Sequence, residues 1–218
     1  MRVVALLGLG MDPRAVRNLS ALAPIEVHHH IEHQKDESLH DYAIRWGRHL
    51  QLKSTDIVLG MSFAGPMALE MAHHFQLKGC ILVSTFTGSK ELPISHRRAL
   101  RLGLHRWIPY RFGWWVGKRW ARRNQILGQD NAEAIRAIER RTDPQFYRWV
   151  IDALGKWHGT VPYHPCLRIH GDHDRILPLK QGAPNVEIVK GNHFLLTTAE
   201  GRSAISQKVD TFIRRLAS

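Results

Sequence analysis

Ile57-Val58-Leu59-Gly60-Met61-Ser62-Phe63-Ala64-Gly65 reads as an apolar strand running into a sharp turn, with a serine at the tip and a helix behind it. Gly60 stands two positions before that serine; Ala64 and Gly65 stand two and three positions after it. A serine on so tight a turn needs small neighbours, because strand and helix approach each other closely beside it. The hydroxyl is then lifted clear of the backbone at the C-terminal end of the strand, within reach of a base. That geometry points to acyl transfer through a serine ester. A strand-turn-helix with a solvated turn serine is the plainer reading of the same residues, so the partners of Ser62 decide between them.

Two later stretches supply such partners. Cys166-Leu167-Arg168-Ile169-His170 is a short strand followed by Gly171-Asp172-His173-Asp174-Arg175-Ile176-Leu177-Pro178. An acidic residue on a loop leaving a parallel strand reaches the same sheet edge as Ser62. Val186-Glu187-Ile188-Val189, a further strand, leads into Lys190-Gly191-Asn192-His193-Phe194. The chain order is Ser62, Asp174, His193, in which the histidine takes and returns the serine proton and the carboxylate fixes its tautomer. Asp172 competes for the acid role. Asp174 is preferred because Gly171 and Asp172 form the tight part of the turn, where an aspartate bonds its own backbone. Of the chain's 15 histidines, His193 follows a strand, sits beside Gly191 and precedes the last helix. His170 reads as a strand-end residue and His173 as an exposed loop residue.

Arg2-Val3-Val4-Ala5-Leu6-Leu7 has the continuous apolar pattern of a buried parallel strand and ends in Gly8-Leu9-Gly10-Met11-Asp12-Pro13. The glycines let an N–H point at a developing oxyanion, with the amides of Leu9 and Phe63 as donors. They also suit a plain strand-to-helix turn in which Asp12 caps a helix with Pro13 at its first position. Both hold at once. A dinucleotide-binding reading is weak, since no third glycine falls in register and no suitable acidic residue ends the next strand.

With these pieces in place the sequence resembles the α/β-hydrolase superfamily over most of its length. The resemblance rests on the Leu7-Gly8-Leu9-Gly10 loop, the Gly60–Gly65 turn, the His170–Pro178 acid loop and Gly191-Asn192-His193-Phe194. More narrowly, it is similar to small bacterial cap-bearing serine esterases. It implies Ser62 as nucleophile, Asp174 as acid and His193 as base, with no metal or cofactor. Three departures stand out. The common His-Gly pair of the oxyanion loop is Leu7-Gly8, and the chain opens on the strand before that loop, so the first two strands of the full fold are missing. Ala64 replaces the usual final glycine of the serine pentapeptide.

Strands alternate with helix candidates at residues 13–22, 38–52, 64–76 and 200–216, which argues for a mostly parallel sheet with helices on both faces. Ile25-Glu26-Val27 and Gly79-Cys80-Ile81-Leu82-Val83-Ser84 add two strands. At 218 residues the chain holds one such core and one insertion. The core is expected over 1–85 and 161–218, with a helical cap at 86–160. That insertion carries six of seven tryptophans and 15 of 31 Lys and Arg residues against six acids, hence +9 of the formal +12 charge.

The insertion's charge has three readings. It is a solvated surface with arginine stems covering apolar area, a docking face for an acidic carrier protein or substrate, or an anionic membrane surface with Trp107, Trp114, Trp115 and Trp120 at the interface. Tryptophans in a small cap also serve as the core that packs it on the main domain. No recognition motif accompanies the basic stretch, which argues against nucleic acid. His28-His29-His30 with His33 lacks a carboxylate or cysteine at ligand spacing and reads as exposed. Cys80 and Cys166 read as small buried core residues of a reducing compartment, the cytoplasm. No run is long enough for a membrane span and the N-terminus lacks a signal pattern.

The expected activity is hydrolysis of a carboxylic ester or thioester. A carrier-bound methyl ester or thioester of the biotin-pathway type is the alternative substrate. The fold also hosts lyases and cofactor-free oxygenases, and a catalytically idle protein binding an acidic partner or membrane through residues 95–127 is the reading from another class.

Overall fold

The computed structural model describes residues 1–16, 19–20, 22–103, 115, 119, 140, 142–179 and 185–217. Six strands, β1 (Val3–Leu6), β2 (Ile25–His28), β3 (Ile57–Met61), β4 (Gly79–Val83), β5 (Cys166–Gly171) and β6 (Val186–Val189), form one sheet in the order β2-β1-β3-β4-β5-β6. Every neighbouring pair is parallel. Helices α1 (Leu39–His49), α2 (Ala64–Phe75), α3 (Ile94–Arg101), α4 (Pro144–Lys156) and α5 (Ala199–Ala217) complete the described framework.

Strand alternation sends side chains to two cores. Val4, Leu6 and Val58 pack with α1, α2 and α4 through Tyr42, Trp46, Met67 and Phe146. Val3, Ala5, Ile57 and Leu59 pack with Ile205, Val209 and Ile213 of α5. A sheet covered on both faces explains the unbroken apolar runs of β1, β3 and β4. Helix starts follow their caps. The Ser38 hydroxyl accepts from the Asp41 amide at 3.1 Å to open α1, and Asp143 accepts from Gln145 N at 2.9 Å to open α4.

Residues 13–22 differ from expectation. Asp12 caps Pro13 as read, but the described turn is a 3-10 helix over Pro13–Ala15 only. Further along, Ser20 Oγ accepts from the amides of Leu22 and Ala23 at 3.0 and 3.2 Å, a side-chain-to-backbone pattern that competes with helix just before β2.

After β1 the chain crosses to β2 on one side and then to β3 on the other, so strand order reverses between β1 and β3. The crevice outside the carboxyl ends of such strands is where open α/β sheets bind ligands. Gly8 follows β1 and Ser62 follows β3 there; a Cβ on Gly8 would lie 3.5 Å from Ser62 Cβ.

Between β4 and β5 the chain leaves and re-enters the core at touching points. A Cβ on Gly159, whose φ is +102°, would fall 2.6 Å from Gly88 Cα and 2.9 Å from Thr87 O, so only glycine fits. Of the intervening residues, α3 and α4 pack on each other. Trp107, Trp114, Trp120 and most of the basic stretch lie outside the described residues. No helix among the described residues is long and apolar enough to cross a membrane.

Candidate active site

The serine turn is held from three sides. Ser62 adopts φ +54°, a left-handed conformation that costs a β-carbon-bearing residue about 1–3 kcal/mol. Its amide donates to Val83 O at 3.0 Å, and the Thr85 hydroxyl donates to its carbonyl at 2.6 Å. A Cβ on Gly60 would lie 2.6 Å from both Ala64 O and Ala68 Cβ, and one on Gly65 only 2.3 Å from Thr85 Oγ1. Close approach therefore falls on positions 60 and 65. Ala64 is fully buried with its methyl accommodated, so the departure from glycine there is sterically neutral.

His193 and Asp174 converge on this turn from the loops after β6 and β5. His193 Nε2 lies 3.0 Å from Ser62 Oγ, and His193 Nδ1 lies 2.7 Å from Asp174 Oδ2. A carboxylate only accepts, so Nδ1 carries the hydrogen and Nε2 presents its lone pair to the serine hydroxyl. Histidine and aspartate are both buried, which removes competing water. Burial alone would push the Asp174 pKa up. Hydrogen bonds from His170 and His193, with backbone support from Leu177, outweigh it and hold the carboxyl below the ordinary carboxylate range. Asp174 Oδ1 accepts from the amides of Ile176 and Leu177 at 3.0 and 2.8 Å.

Asp172 has a different place. Its Oδ1 accepts from Gly191 N at 2.8 Å and faces His173 Nδ1 at 2.7 Å. Besides bonding its own turn through His173, it thus bonds backbone 19 residues away, tying the acid loop to the loop that carries His193. His173 is exposed, as read from the sequence.

Leu9 and Phe63 stand at the ends of β1 and β3 beside the serine. Among the described residues neither amide donates a backbone hydrogen bond, and Phe63 is the N-cap of α2, where helix amides and dipole favour negative charge. The Phe63 ring meets Phe146 of α4 edge-on at 5.8 Å. The histidines of the β2 loop pack there too: His30 stacks on Phe146 at 3.8 Å and His33 on Trp149 at 5.2 Å. The expectation of exposed histidines holds for His29 and is corrected for His28, His30 and His33, which are half-buried; for the last two, α4 supplies an aromatic face that the local sequence does not reveal. Cys80 is buried and Cys166 only partly so, both as free thiols at paired positions of β4 and β5.

One residue of the cluster was not singled out by its sequence context. His170, read as a strand-end residue, is buried, with Nε2 3.2 Å from Asp174 Oδ2 and 2.9 Å from Leu177 O. Its signal was the four-residue separation from Asp174 across a tight Gly-Asp turn.

No family model and no curated protein matches the sequence. Solved structures do match over the whole chain. A thermophilic esterase from Thermogutta terrifontis superposes with TM-score 0.69 at 17% identity, covering 100% of this chain and 91% of its own. A thioesterase of the prodiginine biosynthetic pathway in Streptomyces coelicolor gives TM-score 0.64 at 14% identity, with 97% and 90% covered. An N-acyl homoserine lactonase in complex with N-butanoyl homoserine gives 0.65 at 13% identity, with 99% and 89% covered. The chain has the α/β-hydrolase fold.

Proposed function

We propose that the protein is a serine hydrolase that cleaves a carboxylic ester or thioester through an acyl-enzyme. The observation that carries this reading is the unbroken line Ser62 Oγ, His193 Nε2, His193 Nδ1, Asp174 Oδ2, with contacts of 3.0 and 2.7 Å. Ser62 Oγ attacks the carbonyl carbon while His193 Nε2 takes its proton. The oxyanion forms toward the amides of Leu9 and Phe63. As the carbon–oxygen or carbon–sulfur bond breaks, His193 returns the proton to the departing alkoxide or thiolate. Water then adds to the acyl-serine with His193 again as base, releasing the acid and restoring Ser62. Esterase, thioesterase and lactonase among the fold's solved relatives are in keeping with this chemistry.

Residues 86–160 form a cap over the site in this proposal. Support comes from the Gly88–Gly159 contact, which lets the insertion hang from one point, and from Phe146 of α4 packing on Phe63. The insertion's +9 charge favours an acidic carrier protein bearing the acyl group as partner. The paired free thiols support a reducing compartment, the cytoplasm. Turnover of 4-nitrophenyl esters by wild type, and its loss in a folded Ser62→Ala variant, tests the hydrolase; activity retained by Ser62→Ala rules it out.

A further inference from the structure

Asp174 is surrounded more completely than the proton path requires. Its Oδ1 accepts two amides, from Ile176 and Leu177. Its Oδ2 faces two imidazoles, His193 Nδ1 at 2.7 Å and His170 Nε2 at 3.2 Å. The same His170 nitrogen lies 2.9 Å from Leu177 O. A carbonyl and a carboxylate both accept only, so His170 Nε2 must carry a hydrogen, shared between them. All four lone-pair directions of the Asp174 carboxylate are then occupied. It cannot rotate about its terminal bond without losing a contact in the buried interior, where an unmade hydrogen bond is costly.

We propose that His170 is a positioning residue: its Nε2–H fixes the plane of Asp174 and weakens the support that Oδ2 gives to a protonated His193. Each donor on Oδ2 draws charge from it, so the second imidazole leaves less for the first. A base that must also surrender its proton to a leaving group works best when its proton is not held too tightly. The inference rests on the reading of His193 as the base.

Among the described residues the groups that face His170 are few. Asp174 and, behind it, His193 approach from its own loop and the loop after β6. Its partner in register on β6 is Ile188, and just past the end of β4 lies Ser84, whose amide bonds to the preceding Ile169. Two residues back on the same strand face, Arg168 is ion-paired with Glu91 at 2.8 Å. A purely structural role is also available, since the shorter bond to Leu177 O pins the 174–177 turn to β5. The experiment must separate the two.

Two variants do so. His170→Gln keeps an N–H donor at about the same reach, and His170→Met fills the space without one. The pH at which the His193 ring gains its second proton is followed by 15N NMR, alongside the acid limb of kcat/KM. The proposal expects His170→Met to move both upward by about one pH unit, a tenfold change in proton affinity, and His170→Gln to leave both near wild type. Equal behaviour of the two variants, whether both shifted or both unmoved, overturns it. If His170→Met does not fold, His170→Asn, whose shorter side chain withdraws the donor from Oδ2, takes its place, with the same upward shift expected and an unmoved His193 overturning the proposal. In wild type His170 must also show Nε2 protonated, and the opposite tautomer overturns it as well. The NMR readout does not depend on turnover, so an inactive wild type would count against the hydrolase reading without silencing this test.

Discussion

The hydroxyl of Thr85 donates to the carbonyl of Ser62 at 2.6 Å, and the same side chain fills the space that Gly65 leaves open. A residue on β4's exit thereby holds the left-handed serine in place. Thr85→Val keeps the shape and loses the bond, leaving the Ser62 carbonyl without that donor. It should cost about 1–2 kcal/mol in stability and lower kcat more than KM changes. Gly65→Ala should be worse, at about 1–3 kcal/mol, because its methyl meets Thr85 at 2.3–2.6 Å. Chemical denaturation with steady-state kinetics checks both.

Asp174→Asn should keep the fold and reduce kcat by roughly 10³–10⁴-fold. Its amide N–H would face His193 Nδ1, favouring the tautomer whose hydrogen points at Ser62. The histidine would then have no lone pair for the serine proton. Steady-state kinetics on a small neutral ester reads the loss directly.

The depressed pKa of Asp174 also sets a stability trend. A carboxyl held below its unfolded value stabilises the fold fully above about pH 4 and progressively less as pH falls toward its folded value. The stability gap between wild type and Asp174→Asn should therefore narrow between about pH 5 and pH 2. A gap that stays constant or widens on acidification contradicts the assignment of those hydrogen bonds.

Much of this was legible in the sequence because each clue was local. The strands β1, β3 and β4 declare themselves as apolar runs, being covered on both faces. Gly60, Ser62 and Gly65 declare the turn through their size. Asp174 and His193 follow from lying just after strands that end at the same sheet edge. What could not be read depended on contacts distant in sequence. His30 and His33 find their stacking partners on α4, more than a hundred positions away. Ser20, whose hydroxyl accepts from the backbone just before β2, also donates to Asp210 of α5 at 2.6 Å, a partner 190 positions away. His170 needed the carboxylate to fold back over β5 before its role could be seen.

Gly159→Ala should destabilise the protein by about 2 kcal/mol or more, since it combines a positive φ with a backbone clash against Gly88. The neighbouring Arg168–Glu91 pair, 2.8 Å apart and largely buried, anchors the outgoing stem through Thr87, whose amide and hydroxyl both bond to Glu91. Breaking it with Arg168→Met should cost about 1–3 kcal/mol, because the half-buried Glu91 carboxylate loses its cation and keeps only the Thr87 donors. Thermal melts read both; wild-type stability in either variant would sink the view that the insertion is fastened at these stems.

If the +9 charge of residues 86–160 guides an acidic carrier, turnover of a carrier-bound ester should fall about tenfold or more between roughly 0.05 and 0.5 M salt. Turnover of a small neutral ester should barely move. Equal salt response of the two substrates would return the charge to a solvated surface.

The most direct test is covalent. A fluorophosphonate added to folded wild type should leave one adduct, located by peptide mass spectrometry on Ser62, and should leave none on Ser62→Ala. A folded wild type that takes up no label, or a Ser62→Ala protein labelled to the same extent, would contradict Ser62 as the nucleophile.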